Sequence, residues 1–170
     1  MKLTSAGANK VLKRLQDEKN YLLSQENQNS TYTAYDTETP VIPDYDYDKT
    51  AAAITAIDDK IVKIKHALNV INTTNQLDIN GRTMTVDEIL VRMAQLNNRK
   101  NTLDVMRNCQ PKTRLRKMTV STTVPEYEIA NYNIEKVRAE YNRIDAEIVS
   151  MQLALDRFNQ TYEFDVDIEL

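Results

Sequence analysis

Ala130, Ile134, Val137, Tyr141, Ile144, Ile148, Met151, Leu155, Phe158 and Tyr162 succeed one another at alternating steps of four and three residues, with an apolar side chain in every slot. In a chain that is 41% hydrophobic, ten such hits in one fixed register have a chance of about 1 in 10⁴. The pattern predicts a helix over about 128–160, roughly 50 Å long at the α-helical rise. An apolar repeat of 3.5 residues held over that length is the seam of a coiled coil or four-helix bundle.

Three further helices follow from the same reading. Ile54, Ile57, Ile61, Ile64, Leu68 and Ile71 keep the spacing and place a helix at about 46–73. Val86, Ile89, Met93, Leu96 and Leu103 form a stripe over about 85–109, with Lys100 interrupting one slot and Pro111 ending the run. Its start is marked by Thr85-Val86-Asp87-Glu88, a capping box in which the Thr85 hydroxyl takes the Glu88 amide and the Glu88 carboxylate takes the Thr85 amide. A shorter stripe, Val11, Leu12, Leu15, Leu22 and Leu23, places a first helix at about 4–28.

The connections differ in kind. Residues 29–45 hold Pro40, Pro43, several threonines and Tyr32, Tyr35 and Tyr45, a polar crossover with too few aliphatics to fold alone. Residues 74–84 read as a tight loop in which Gly81 takes a left-handed conformation. In 112–125, Met118, Val120, Thr122 and Val124 alternate with Lys117, Thr119, Ser121 and Thr123, which predicts an extended segment. The tail, 162–170, also alternates: Tyr162, Phe164, Val166, Ile168 and Leu170 face one way, and Glu163, Asp165, Asp167 and Glu169 the other. Arg114, Arg116 and Lys117 open the first extended segment, so the expectation is that the two segments pair, within one chain or between chains, with opposite charges across the ladder.

Composition narrows the class. Two glycines and four prolines in 170 residues are too few breakers for a strand-rich fold. The expected fold is all-α: a single domain over 1–170, built as an antiparallel bundle of four long helices in coiled-coil-like packing, with a small accessory β element. A net charge of −3 gives the whole molecule no attraction for nucleic acid or anionic membrane. Cys109 is the only cysteine, which excludes an internal disulfide and leaves no thiolate zinc site within one chain. The opening residues carry no apolar run like a signal peptide, and no stretch of about 18 apolar residues occurs, so a cytoplasmic location without stable membrane insertion is expected.

Several residues invite chemistry and are weighed against simpler roles. His66, the only histidine, falls on the outer face of its helix, leaving no Ser-His-Asp, Cys-His or multi-histidine arrangement. Asp44, Asp46 and Asp48 alternate as in the first half of a calcium loop, but Lys49 and Thr55 stand where the loop glycine and final glutamate belong. Carboxylates at a helix N-terminus explain them more simply. Arg107, Lys112, Arg114, Arg116 and Lys117 form a basic cluster without interleaved aromatics for base stacking, so no nucleic-acid partner is expected. No catalytic residue, cofactor site or metal site is assigned.

From about residue 54 to residue 160 the chain resembles a bacterial family of which some members carry the name septicolysin. The matching pieces are Ile71-Asn72-Thr73-Thr74-Asn75, Gly81-Arg82-Thr83-Met84-Thr85, Leu90 and Arg92, the basic stretch ending Thr123-Val124-Pro125, and the long final helix. The resemblance implies a small, mainly helical, self-associating protein; the cytolysin-like name implies membrane attack.

Two main functional expectations follow. The first is a structural or interaction protein that forms a homo-oligomer through helix faces and strand edges. The second is a small-ligand-binding protein or enzyme with a polar pocket or interface at the helix turns, built from Asn72, Asn75, Gly81, Arg82, Arg114 and Arg116. A membrane-active, cytolysin-like protein is the third.

Overall fold

The structure is a computed structural model that describes residues 1–37, 39–115 and 124–169. It is mostly helical, with four helices and small antiparallel strand pairs. The chain divides into two compact units, the first comprising 1–75 and 156–170, the second 76–155.

In the first unit, β1 (Lys2–Thr4) leads directly into α1 (Ser5–Asn29). Thr4 is the N-cap, its hydroxyl accepting the Gly7 amide at 3.1 Å, which satisfies one of the amides a helix start leaves unpaired. α2 (Tyr47–Thr74) starts at Asp46, whose carboxylate accepts the Lys49 amide at 3.1 Å. That bond holds the Asp46 carboxyl below its usual range. Of the three aspartates, Asp46 is thus the helix cap and Asp48 lies in the first turn. α1 and α2 run antiparallel: Lys19 pairs with Asp58 at 2.7 Å, and Glu26, further along α1, accepts the Tyr45 hydroxyl at 2.9 Å. Residues of the crossover 31–42 are exposed wherever described.

The tail closes this unit. β6 (Glu163–Asp165) pairs antiparallel with β1, in the register Lys2↔Asp165, Leu3↔Phe164 and Thr4↔Glu163. The pairing continues past the strands, where Met1 and Val166 exchange both backbone bonds at 2.8 and 2.9 Å. Leu3, Phe164, Val166 and Ile168 are buried, and Glu163, Asp165, Asp167 and Glu169 are exposed. The two faces of the tail match the alternation; among the described residues the partner of β6 is β1, and no described residue of 112–125 pairs with it. Lys2–Thr4 suit this edge because Leu3 stands opposite Phe164, so the buried faces of the two strands are in phase.

In the second unit, β2 (Gln76–Ile79) and β3 (Arg82–Thr85) form a hairpin. Its two-residue turn, Asn80 at φ 54° and Gly81 at φ 83°, is the type I′ turn whose twist suits paired strands. Asp78 locks it by accepting the Gly81 amide at 3.1 Å. The segment read as a plain loop is thus a hairpin that buries Ile79 and Met84. Thr85 then caps α3 (Val86–Arg107) with the expected reciprocal box.

β4 (Lys112–Arg114) pairs with β5 (Tyr127–Ile129) in the register Lys112↔Ile129, Thr113↔Glu128 and Arg114↔Tyr127. α4 (Ile134–Thr161) begins later than the expected start near 128, because 127–129 are taken by the ribbon and Asn133 caps the helix, accepting the Lys136 amide at 3.0 Å. The expected strand residues from Arg116 to Thr123 lie outside the described residues.

Buried positions recur every seventh residue in all four helices. They are Ala8 and Leu15 in α1, Ile57, Ile64 and Ile71 in α2, Ile89, Leu96 and Leu103 in α3, and Val137, Ile144, Met151 and Phe158 in α4. Ile148 and Leu155 add the intervening slots in α4.

Candidate functional site

Polar and charged side chains gather in two places. Along α3 and α4 the first is a ladder of ion pairs that also fixes their antiparallel order. Arg92 Nε donates to Glu147 at 2.7 Å, Arg143 joins both Glu140 and Glu147, and Lys100 pairs with Asp145. Hydrogen bonds from Arg143 hold the Glu140 carboxyl below the usual range, and the bond to Asp145 raises the Lys100 ammonium. Lys100, which breaks the stripe of α3, lies 5.5 Å from the ring centre of Tyr141, a slot of the α4 seam. Arg107 stacks on the same ring at 3.7 Å and bonds Asp104 at 2.8 Å. The polar interruption in α3 is therefore met by the ring that can accept cations, at about 0.5–1 kcal/mol for such a contact near the surface. Such a layer fixes how α3 and α4 slide along one another; it brings no nucleophile or base together.

The turn residues, in contrast, are not one place: no described hydrogen bond or ion pair brings them together, and they are taken one by one. Asn75 caps the end of α2: its amide and its side-chain nitrogen both bond the Ile71 carbonyl, at 3.0 and 2.9 Å. Asn72 is half-buried in the last turn of α2. Gly81 and Arg82 sit at the tip of the hairpin, Arg82 exposed. Arg114 lies in β4, also exposed, and Arg116 lies outside the described residues. Among the described residues, no side-chain hydrogen bond or ion pair joins Arg82 or Arg114 to another residue. Gly81 and Arg82 are chain neighbours; Arg114 belongs to a different strand pair.

The second place is the base of the β4–β5 ribbon. Two shallow clefts, of about 430 and 340 Å³, open beside the exposed thiol of Cys109 and the ring of Tyr132. Neither is lined by Asn72, Asn75, Gly81, Arg82 or Arg114. The Tyr132 hydroxyl donates to the Met106 carbonyl at 2.9 Å, and its neighbour Cys109, with burial, pushes its ionisation up. A phenol so held is a structural latch between the end of α3 and the start of α4, not a proton donor poised for chemistry. Lys112 of the basic cluster lies over the Tyr127 ring at 4.1 Å, as Arg107 lies over Tyr141, so each of these rings already faces a cation.

Among the described residues, no group of three or more His, Cys, Asp or Glu side chains is placed to hold a metal ion. No described helix is long and apolar enough to cross a membrane. The features that sequence reasoning missed are the strand β1, the β2–β3 hairpin, the strand β5 and the cation–tyrosine layer. Asn80-Gly81 was the one local signal for a hairpin; the others depend on contacts distant in sequence.

The crystal structure of a functionally unknown conserved protein from Corynebacterium diphtheriae is similar to this chain, with a TM-score of 0.62 at 11% identity, covering 97% of this chain and 100% of that one. The likeness shows a shared fold. No protein-family model matches the chain, and no curated protein sequence matches it.

Proposed function

We propose that the chain is a structural or interaction protein whose four helices pack as an antiparallel, coiled-coil-like bundle and which assembles with copies of itself in the cytoplasm. The bundle packing is supported by the buried positions seven residues apart in every helix, the spacing that keeps one seam facing a partner over many turns. The observation that carries self-assembly is a second apolar stripe on α4. Ala146, Val149 and Leu153 are spaced by three and four residues and are exposed, Val149 at 49% and Leu153 at 66%. At 100° per residue they lie on the face opposite the seam of Ile144, Ile148, Met151 and Leu155. An apolar stripe on the far side of a helix is a surface that a second copy can cover.

The resemblance to the septicolysin-like family supports the same reading, because it implies a small self-associating helical protein. Of the turn residues, Arg114 fits an interface, being exposed on a strand with an open edge. Multi-angle light scattering on purified protein at micromolar concentration tests the proposal. A mass that is a multiple of 19.6 kDa is expected, and a mass of one chain across the whole concentration range defeats it.

A further inference from the structure

We infer that the outer edge of β4 in one copy pairs antiparallel with the outer edge of β6 in a second copy, Lys112 opposite Asp165 and Arg114 opposite Glu163. The inference rests on the self-association proposed above and adds a strand-edge contact to the α4 stripe.

The hydrogen-bond phase of each ribbon shows which residues face outward. In β6, Met1 and Val166 exchange backbone bonds, so with the register Leu3↔Phe164 the N–H and C=O groups of Phe164 turn toward β1. Backbone groups alternate in direction along a strand, so those of Glu163 and Asp165 turn away from it. At the next outward position the Asp167 carbonyl accepts Lys63 Nζ at 3.2 Å, which bounds the open edge at Asp165. In β4, Leu115 donates to the Glu126 carbonyl at 2.9 Å and Ala130 to the Pro111 carbonyl at 3.2 Å. Pro111, Thr113 and Leu115 thus face β5, and Lys112 and Arg114 present their backbone groups outward. Among the described residues each ribbon has two strands, and neither of these edges has a described neighbour in its own sheet.

The two edges are complementary. Each offers two outward residues at the same spacing, both basic on β4 and both acidic on β6, and all four are exposed. Joined antiparallel, they place opposite charges directly across the ladder, a favourable cross-strand arrangement. The same register sets Pro111 opposite Val166, Thr113 opposite Phe164 and Leu115 opposite Tyr162 on the other face. Leu115 and Tyr162 are 44% and 37% exposed in the single chain, and each would gain an apolar neighbour. All six residues of the β4–β5 ribbon are exposed, and an isolated two-stranded ribbon is marginally stable in water. Edge addition to a second ribbon is a recurrent remedy. Within one chain the two strands belong to separate sheets, so the partner is a second copy. The contact joins unlike surfaces, and it closes either reciprocally between two copies or around a ring.

Charge reversal tests this. The double variants K112E/R114E and E163K/D165K are compared with the wild type by sedimentation velocity, with circular dichroism verifying that each stays helical. Each variant alone sets like charges across the junction and is expected to dissociate at a concentration at least tenfold above that of the wild type. An equimolar mixture of the two restores opposite charges at both junctions and is expected to recover the wild-type assembly. A wild-type oligomer that persists unchanged in both variants, or a mixture that stays dissociated, overturns the edge pairing while leaving self-association standing. A wild type that sediments as one chain overturns both.

Discussion

Ile64 and Val62 lie two residues apart in α2, one fully buried and the other 65% exposed, and alanine at each isolates what the seam contributes. Ile64→Ala removes three buried carbons. At about 0.8 kcal/mol per buried methylene the transfer loss is about 2.4 kcal/mol. A cavity adds to it, since neighbours close only partly around the gap, and large-to-small changes of this kind cost about 2–5 kcal/mol. Alanine's better helix propensity returns only a few tenths of a kcal/mol. A net loss of about 3 kcal/mol corresponds to a fall in Tm of roughly 6–12 °C for a chain of this length. Val62→Ala removes two carbons already largely in water, and it is expected to stay within about 0.5 kcal/mol of the wild type. Urea and thermal unfolding followed by circular dichroism at the helix band measure both. Equal losses at the two positions would show that the seven-residue periodicity does not determine what holds α2 in place.

Gly81→Ala is expected to destabilise by about 1 kcal/mol through backbone strain alone, since φ is +83° while a Cβ there would meet nothing within 4 Å; an unchanged Tm would mean the turn relaxes. Ser5 is buried with its hydroxyl unpaired, so Ser5→Ala is expected to raise stability by about 1 kcal/mol, read as a higher urea midpoint, and a lower midpoint would mean that the hydroxyl has a partner. The Glu140 carboxyl is held below its usual range by hydrogen bonds from Arg143, so its contribution is complete above the ordinary carboxylate range and is lost as pH falls through the lowered value. Glu140→Gln should therefore make the acid limb of the stability–pH curve shallower and leave the alkaline limb unchanged, which thermal melts between neutral and acidic pH would check.

The helices were legible because their information is local. A burial slot every three or four residues is written into Ile57, Ile64 and Ile71 or Ile144, Ile148 and Met151, and the Thr85 box announces its own helix start. The faces of the tail were legible for the same reason, since alternation alone separates Phe164, Val166 and Ile168 from the acids between them. Pairing was not. Alternation says which way a side chain points and nothing about which edge lies beside it, so β6 was matched by charge to a basic segment when, within the chain, Lys2–Thr4 takes that place. The hairpin at Asn80-Gly81 was written in the sequence as a two-residue turn, but Arg82 and Thr83 dilute the apolar alternation of the strand that follows. The late start of α4 escaped because Ala130 and Ile134 continue the apolar spacing across a strand and a cap. Of the polar turn residues, Asn75 shows its role locally as a helix cap. The meeting of Lys100, Arg107 and Tyr141 joins residues about forty positions apart and leaves no local trace beyond one broken slot.

Residue-resolved amide hydrogen exchange, recorded at concentrations below and above assembly, tests most directly that copies of this chain join through their strand edges. Slower exchange on assembly at Lys112, Arg114, Glu163 and Asp165, with the seam amides of α4 protected at both concentrations, is the predicted result. Exchange at those four amides that stays as fast in the assembled protein as in the single chain would contradict it.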